Sequence, residues 1–302
     1  MQKIMISVCL LACFFLLACP NSTTTTSSGG TTGTGTTATG QATREAPIVA
    51  DHTAVAGFNA GIPESAVTTA KANLNIFYGH TSHGSQLMTG MTMLGAPYYS
   101  AGSKLNITEN RDVDLGHSGD TSWADTTRTA LDNNANLNVV IWSWCGGVAD
   151  NTTEGINTYL TTMDQLEQEY PEVTFVYMTG RHWNFDNEAR VEGESSSTNT
   201  HIQEMNTLIR NYANTYNKVL FDFADIEEYD PDGTQYTNTS DHCDWCETWC
   251  ANNGNPGYCN TCDAGDSFDP FGYGCAHSQC LNCYQKGKAF WWLMARIAGW
   301  EG

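Results

Sequence analysis

The fold is set by one stretch, Asn75-Ile76-Phe77-Tyr78-Gly79-His80-Thr81-Ser82-His83-Gly84-Ser85-Gln86, in which a short apolar run leads directly into a turn. Its first part, Ile76 to Tyr78, has the character of a β-strand, and beyond the turn Leu87, Met91 and Leu94 recur at helical spacing. A strand that enters a helix through a tight turn is a common element of parallel sheets. The stretch therefore predicts a strand, a turn and a helix in that order.

The turn concentrates chemically active side chains. It packs two histidines, two serines and a second glycine into six residues. A serine in such a turn lies near the helix N-terminus, where unpaired N–H groups favour developing negative charge. Ser82 is therefore the first candidate nucleophile and Ser85 the second. The alternative is that His80 and Ser82 only cap the helix.

Strand and helix patterns alternate along the rest of the chain. Apolar runs predict strands at 74–79, 139–144, 173–178 and 219–223, and helical spacing predicts helices at 63–71, 156–170, 202–212 and 285–297. Residues 95–137 are polar and are expected to be irregular, with a glycine-rich loop within them. This alternation predicts a three-layer α/β/α fold with a doubly wound parallel sheet, whose ligand site lies beyond the carboxyl ends of the strands.

The N-terminal region has the composition of an export signal followed by a spacer. Residues 1–18 are a basic and then apolar run, too short to span a bilayer, and they lead into Leu16-Leu17-Ala18-Cys19, which resembles a bacterial lipobox with Cys19 as the lipidated residue. Residues 19–45 are rich in Thr, Ser and Gly and predict a flexible tether. Residues 46–302 suffice for one α/β domain. We therefore expect an exported lipoprotein at the outer membrane or cell surface, with a lipid anchor as its only membrane contact.

The charge balance limits the partners. A formal net charge of −20 argues against nucleic acid and against an anionic lipid surface. The nine tryptophans suit a groove that faces carbohydrate, although a role in the core is an equal alternative. Neither the charge nor the composition identifies a substrate or an oligomeric state.

The cysteines are clustered late in the chain. Cys145 stands alone, whereas eight others fall in one segment: Cys243, Cys246, Cys250, Cys259, Cys262, Cys275, Cys280 and Cys283. Such density in an exported chain predicts four disulfides in an insertion before the C-terminal helix. The three Cys-x-x-Cys pairs, 243/246, 259/262 and 280/283, would also suit zinc. The spacing leaves the connectivity open.

Nucleophilic catalysis requires a base beside the hydroxyl and donors for the oxyanion. His277, in Gly274-Cys275-Ala276-His277-Ser278 just before the last helix, is the candidate base. The backbone N–H of Ser82, a glycine of the 116–119 loop and a group near Cys145 are the candidate donors. The alternative for His277 is a surface residue in a disulfide-bonded loop.

This arrangement resembles the SGNH, or GDSL-type, hydrolases over residues 74–302. In that family a serine follows the first strand in a Gly-Asp-Ser turn, a glycine comes from the next loop, an Asn ends a middle strand, and Asp-x-x-His precedes the C-terminal helix. Here Gly79-His80-Thr81-Ser82 takes the first place, Gly116 or Gly119 the second, Cys145 the third and His277 the last. The resemblance implies a flavodoxin-like fold and a serine esterase.

The chain departs from the family pattern at several points. A His stands for the Asp of the turn, a Cys for the oxyanion Asn, and a Gly at position 274 for the Asp of Asp-x-x-His. The orienting carboxylate would then come from Asp241, Asp266 or Asp269. The resemblance further implies that Gly119 and Cys145 line the oxyanion side, and that the pocket is shaped by His80, His83 and His182. The expected substrate is an ester, such as an acyl group on an extracellular polysaccharide.

Three alternatives stay open at this point. Convergence of four imidazoles would create a zinc or copper site at His80, His83, His117 and His182. Closely spaced carboxylates would suit calcium at Asp230 and Asp232, and at Asp263, Asp266 and Asp269, although solvated loop acids are the more common case. The third alternative is a lipoprotein that binds a glycan or an envelope partner without chemistry.

Overall fold

The computed structural model describes residues 44–111, 113–183, 198–237, 239–262 and 275–302. All of them belong to one folding unit, Ala38–Gly302. The predicted signal peptide with Cys19, and nearly all of the predicted tether, lie outside the described residues. Within the described part of the chain, no helix is both long enough and apolar enough to cross a membrane.

Strands and helices alternate along the described chain. Their bounds are β1 (Ile48–Ala50), α1 (His52–Ala60), α2 (Glu64–Asn73), β2 (Asn75–Gly79), α3 (Ser85–Met93), β3 (Asn106–Asn110), α4 (Ser122–Asn133), β4 (Val139–Trp142), α5 (Gly147–Asp150), α6 (Thr153–Glu169), β5 (Thr174–Met178), α7 (Thr198–Thr215), β6 (Val219–Phe221), α8 (Phe223–Glu228), α9 (Asp244–Asn252), α10 (Gly257–Asn260) and α11 (Cys280–Ile297). A short 3₁₀ turn, His117–Gly119, lies between β3 and α4.

The strands form a six-stranded sheet in the order β1-β6-β5-β4-β2-β3, and every pair is parallel. Without the edge strand β1, this is the 2-1-3-4-5 order of flavodoxin-like sheets. In the register, Gly79 at the end of β2 lies opposite Asn110 and Trp142. The predicted parallel α/β fold is confirmed, and the loops that follow β2, β4 and β5 emerge at one edge of the sheet.

The core lies on both faces of this sheet. All four residues of β4 are fully buried, as expected for a central strand covered by helices on either side. α11 packs against α1, α2, α3 and α8, and α6 packs against α4 and α7. These two helix groups form the outer layers.

The region 95–137 is more regular than we predicted. It contains β3 and α4, together with the 3₁₀ turn. β3 carries one apolar residue, Ile107, between polar neighbours at the edge of the sheet, so it lacks the apolar run that marks a buried strand. α4 buries Trp123, Thr127 and Leu131 at four-residue spacing, a stripe that its polar composition hides. β1 and α1 were not predicted either.

The cysteine-rich segment forms four disulfides, as predicted. All eight of its cysteines are used in these bonds, so no thiol of the segment is left to bind zinc. The pairs are Cys243–Cys246, Cys250–Cys259, Cys262–Cys280 and Cys275–Cys283. The last two tie the chain before α11 to the first turn of that helix, which begins five residues earlier than its apolar spacing predicted. Residues 276–279 are therefore held between cross-linked positions.

Helices α3 and α11 cross with their backbones in contact at two glycines. A Cβ atom on Gly90 would overlap the carbonyl oxygen of Cys283 and lie 2.7 Å from the backbone nitrogen of Gly287. A Cβ atom on Gly287 would in turn overlap the backbone of Gly90. This close crossing sets the distance between the helix that follows Ser82 and the helix that follows His277.

Replacing Gly90 by alanine is expected to destabilise the protein by about 1–3 kcal/mol, because the added methyl group forces the two backbones apart. This cost outweighs the preference of helix interiors for alanine. Gly102→Ala is the matched control, since a Cβ atom there meets nothing within 4 Å and its φ is ordinary. Urea denaturation of both variants measures the difference. Equal stability of the two would mean that α3 and α11 tolerate a wider crossing.

Candidate active site

The turn after β2 is held in place by its own hydrogen bonds. The Ser85 N–H donates to the carbonyl oxygens of Thr81 (3.2 Å) and Ser82 (3.1 Å), and the Ser85 hydroxyl donates to the Ser82 carbonyl at 2.6 Å. The Tyr78 hydroxyl donates to the Gly84 carbonyl at 2.8 Å. A side chain at position 84 would overlap neighbouring atoms, so glycine is needed there. Ser85, the second candidate nucleophile, thus stabilises the turn that presents Ser82.

The Ser82 hydroxyl meets an imidazole from the other end of the chain. His277 Nε2 lies 2.9 Å from Ser82 Oγ. His277 has φ +61° and lies in a tight turn in which the Ser278 N–H donates to the Cys275 carbonyl at 2.7 Å. The disulfide from Cys275 to Cys283 closes this turn onto α11. Nucleophile and base are therefore within hydrogen-bond reach, the geometry that serine catalysis needs.

Gln86 joins the Ser82 turn to the His277 turn. Its amide nitrogen donates to the carbonyl oxygen of Ala276 at 2.5 Å, and its amide oxygen accepts from Lys286 Nζ. Lys286 also pairs with Glu227 Oε1 at 2.7 Å, and both side chains are fully buried. Burial lowers the pKa of Lys286 to about 8, against the raising effect of Glu227.

This buried chain of polar groups was not predicted from the sequence. A lysine inside the long, largely apolar final helix was the available signal, because a buried lysine almost always has a partner. Its partner, Glu227, is 59 residues away in sequence and has no local pattern that identifies it.

His83 lies at the centre of a second set of contacts. Its Nδ1 is 3.2 Å from Cys145 Sγ, and its Nε2 is 3.1 Å from Asp241 Oδ2. Its ring stacks on that of His277, with 4.2 Å between centroids and 6° between planes. Burial lowers the pKa of His83 well below its ordinary value, and the positive charges of Arg181 and Lys286 act in the same direction. His83 is therefore a neutral imidazole beside the proposed base.

Asp241 reaches the site through His83. Its Oδ2 accepts from Arg181 Nη1 at 2.8 Å as well as meeting His83. Burial raises the pKa of this carboxyl to about 6, although Arg181 opposes the shift. The contact assigns Asp241 to His83, whereas the sequence analysis offered it as the partner of His277. The other two candidates for that role, Asp266 and Asp269, lie outside the described residues.

The backbone groups expected on the oxyanion side already have side-chain partners. The N–H of Gly119 donates to Asn151 Oδ1 at 2.6 Å, so this glycine stabilises its own loop. The N–H of Cys145 donates to Asp114 Oδ2 at 3.1 Å, and its carbonyl accepts from Arg181 Nε at 2.9 Å. What Cys145 presents to Ser82 is its thiol, with Sγ 3.6 Å from Ser82 Oγ.

The four histidines of the metal alternative each face a different carboxylate. His80 meets Glu109 at 3.1 Å, His117 meets Asp150 at 2.6 Å, and His182 meets Glu228 at 3.1 Å, while His83 meets Asp241. Among the described residues, the one group of three ligand-type side chains close enough to share an ion lies elsewhere, at Asp51, His52 and Asp225. In the described chain these four imidazoles do not group around one point, and binding of zinc or copper stays a prediction. His80 instead supports the turn, stacked on Tyr78.

The described acids of the calcium alternative have partners of their own. Asp230 Oδ1 accepts the N–H groups of Asp232 and Thr234, both at 2.9 Å, which closes a turn. Asp232 Oδ2 accepts from Trp249 Nε1 at 2.8 Å. The remaining acids, Asp263, Asp266 and Asp269, lie outside the described residues. Calcium binding stays a prediction.

Comparison with known proteins gives structural similarity alone. No family model matches the chain, and no curated protein matches it significantly. Among solved structures, a proposed platelet activating factor from Streptococcus pneumonia is 15% identical, with a TM-score of 0.34 over 60% of this chain and 84% of that chain. A proposed acylhydrolase from Bacteroides fragilis is 9% identical (TM-score 0.33, 59% and 83% covered), and a GDSL-like lipase from Bacteroides thetaiotaomicron is 14% identical (0.32, 63% and 90%). One of these names includes the GDSL-like class that the motifs resemble.

Proposed function

We propose that the protein is a hydrolase of ester bonds, of a divergent SGNH type, with Ser82 as nucleophile and His277 as base. The observation that carries the proposal is the 2.9 Å distance between Ser82 Oγ and His277 Nε2. The two residues are 195 positions apart in sequence, so the tertiary fold and not local chain geometry brings this hydroxyl and imidazole together. Such a pair at the carboxyl edge of a parallel sheet is typical of acyl transfer.

In the proposed reaction, Ser82 Oγ attacks the ester carbonyl carbon while its proton passes to His277 Nε2. The oxyanion forms near the N-terminus of α3, where the helix dipole favours negative charge. His277 returns the proton to the leaving alcohol, which breaks the ester C–O bond and leaves an acyl group on Ser82. Water, activated by the same imidazole, then releases the acid.

The stacked pair of imidazoles supports this proton transfer. His277 becomes positively charged when it takes the proton, and a second charge on His83 would oppose that step. Burial keeps His83 neutral by lowering its pKa. Asp241 contacts Nε2 at the edge of the His83 ring and so holds that ring in its stack on His277. His83 and Asp241 thus act as positioning residues for His277.

The substrate we propose is an acyl ester on an extracellular polysaccharide. Four disulfides favour an oxidising compartment outside the cytoplasm. The lipobox-like Cys19 would tether the domain at the cell envelope, within reach of surface glycans.

Covalent trapping tests the proposal. A small alkyl fluorophosphonate should form one adduct per chain, at Ser82, because the reagent requires a hydroxyl activated by a base. Peptide mass spectrometry locates the adduct. Ser85→Ala should label like the wild type, whereas His277→Ala should lose the adduct. An adduct at Ser85, an adduct at Cys145, or none at all in a folded chain would overturn the proposal, and the last result would favour the non-catalytic binding protein.

A further inference from the structure

Cys145 is the one cysteine of the described chain outside the four disulfides. It follows β4 at the carboxyl edge of the sheet and is half-buried. Its carbonyl and N–H are held by Arg181 and Asp114, so the backbone that carries the thiol is fixed. The proposed serine mechanism gives this thiol no chemical step.

The thiol faces a base that is itself oriented by an acid. His83 Nδ1 lies 3.2 Å from Cys145 Sγ, and Asp241 Oδ2 lies 3.1 Å from His83 Nε2. An ionised Asp241 accepts the Nε2 proton, which leaves Nδ1 as a proton acceptor facing the thiol. Nucleophile, base and orienting acid in hydrogen-bond sequence are the signature of an activated nucleophile. In the proposed serine mechanism His83 and Asp241 only support His277, whereas here they act directly on the thiol.

Burial separates this arrangement from an ordinary surface thiol. His83 is 2% exposed and Asp241 is 4% exposed, so the base and the acid are both shielded from water. The second carboxylate oxygen, Asp241 Oδ1, is buried without a hydrogen-bond partner among the described residues. A buried acceptor of this kind is costly unless a bound group or water satisfies it. The cluster therefore has the features of a site that a further molecule completes.

We propose that Cys145, His83 and Asp241 form a second nucleophilic site that takes disulfides of small thiols, and that its occupation closes the Ser82 site. In the reaction, Cys145 gives its proton to His83 Nδ1 and its sulfur attacks one sulfur of R–S–S–R. A mixed disulfide, Cys145–S–S–R, forms as the original S–S bond breaks. The departing R–S⁻ takes the proton from His83, so atoms and electrons balance.

The compartment supports modification of Cys145 by a disulfide, and the geometry supports closing of the Ser82 site. A chain with four disulfides matures where disulfide exchange is the prevailing sulfur chemistry. Cys145 Sγ is 3.6 Å from Ser82 Oγ, so a group attached to the sulfur occupies the space in which an ester carbonyl would approach the serine. The closing of the site rests on the proposed function, whereas the modification does not.

The test is the rate at which 4,4′-dithiodipyridine modifies Cys145 in the folded full chain at pH 7, measured by mass spectrometry of the Cys145 peptide. We expect His83→Phe and Asp241→Asn each to slow this reaction by about tenfold or more, the lower range of what a positioned base contributes. His52→Phe is the matched control, because His52 also pairs with a carboxylate, Asp225, but belongs to the separate group of Asp51, His52 and Asp225. Circular dichroism confirms that each variant is folded.

The outcomes separate the two proposals. Wild-type Cys145 that stays unmodified, or that reacts no more slowly once His83 or Asp241 is replaced, would overturn the second site. Modification should persist in Ser82→Ala, which isolates it from the ester chemistry. Modified wild-type protein should lose ester turnover and regain it with a mild thiol, whereas the turnover of Cys145→Ala, whatever its level, should not respond to the reagent. A modified chain that keeps full ester turnover would refute the closing of the Ser82 site.

Discussion

Replacing Ser82 by alanine should lower kcat/KM for a short-chain chromogenic ester by about 10⁴-fold or more, the loss typical of removing a nucleophile that acts as a unit with its base. The reason is geometric, because Ser82 Oγ is the hydroxyl that His277 Nε2 meets at 2.9 Å. Steady-state kinetics of purified protein measures the loss. The melting temperature should stay close to that of the wild type, since the substitution removes one oxygen and leaves the backbone turn intact.

Two neighbouring substitutions make this result specific. Ser85→Ala removes the hydroxyl that donates to the Ser82 carbonyl and should reduce turnover by a far smaller factor, through a looser turn. Cys145→Ala tests the other nucleophile within reach of the same space. If Ser82→Ala keeps wild-type turnover while Cys145→Ala abolishes it, the hydrolase uses a cysteine and the serine mechanism is refuted.

Replacing Lys286 by methionine should cost about 3–5 kcal/mol of folding stability, the usual effect of leaving one partner of a buried ion pair alone. Glu227 is fully buried, and Lys286 Nζ is 2.7 Å from its Oε1. Methionine matches the length of the lysine stem, so the loss reflects charge rather than packing. Urea denaturation at pH 7 gives the value. Because Lys286 also holds Gln86, ester turnover should fall as the His277 turn loosens.

A lysine two residues further along the same helix provides the control. Lys288 is also largely buried, and burial lowers its pKa to about 8, but its described partners are aromatic rings and Gln285 rather than a carboxylate. Lys288→Met should therefore be neutral or stabilising. The double variant Lys286→Met with Glu227→Gln should recover much of the loss, because no bare charge is left inside. If both substitutions lower the free energy of unfolding equally, the ion pair with Glu227 does not account for the loss.

Strong local patterns predicted the centre of the fold. β2, β4 and β5 are largely apolar runs that end in glycine-bearing or polar loops, and such runs are typical of strands buried on both faces. β3 and α4 escaped prediction for the converse reason. β3 lies at the edge of the sheet, where polar residues are tolerated, and α4 hides its buried stripe among threonines and acids.

The candidate site divides in the same way. Residue type and position along the chain were enough to choose Ser82, which follows a strand, and His277, which precedes the last helix. Few side chains perform acyl transfer, and the sheet brings the ends of its strands together. Residue type and position could not predict which carboxylate contacts which imidazole. Asp241 was chosen as a partner for His277, yet its described contacts are to His83 and Arg181.

The sequence by itself therefore determined the parallel α/β scaffold, the disulfide-bonded segment before the last helix, and the identity of the proposed nucleophile and base. Only the tertiary structure decided the disulfide connectivity, the chain from Gln86 through Lys286 to Glu227, and the contact of Cys145 with His83. The physical reason is the distance along the chain between the residues that interact. Apolar periodicity acts between near neighbours and is visible in the order of residues, whereas hydrogen bonds between side chains depend on angles and distances fixed by packing between distant segments.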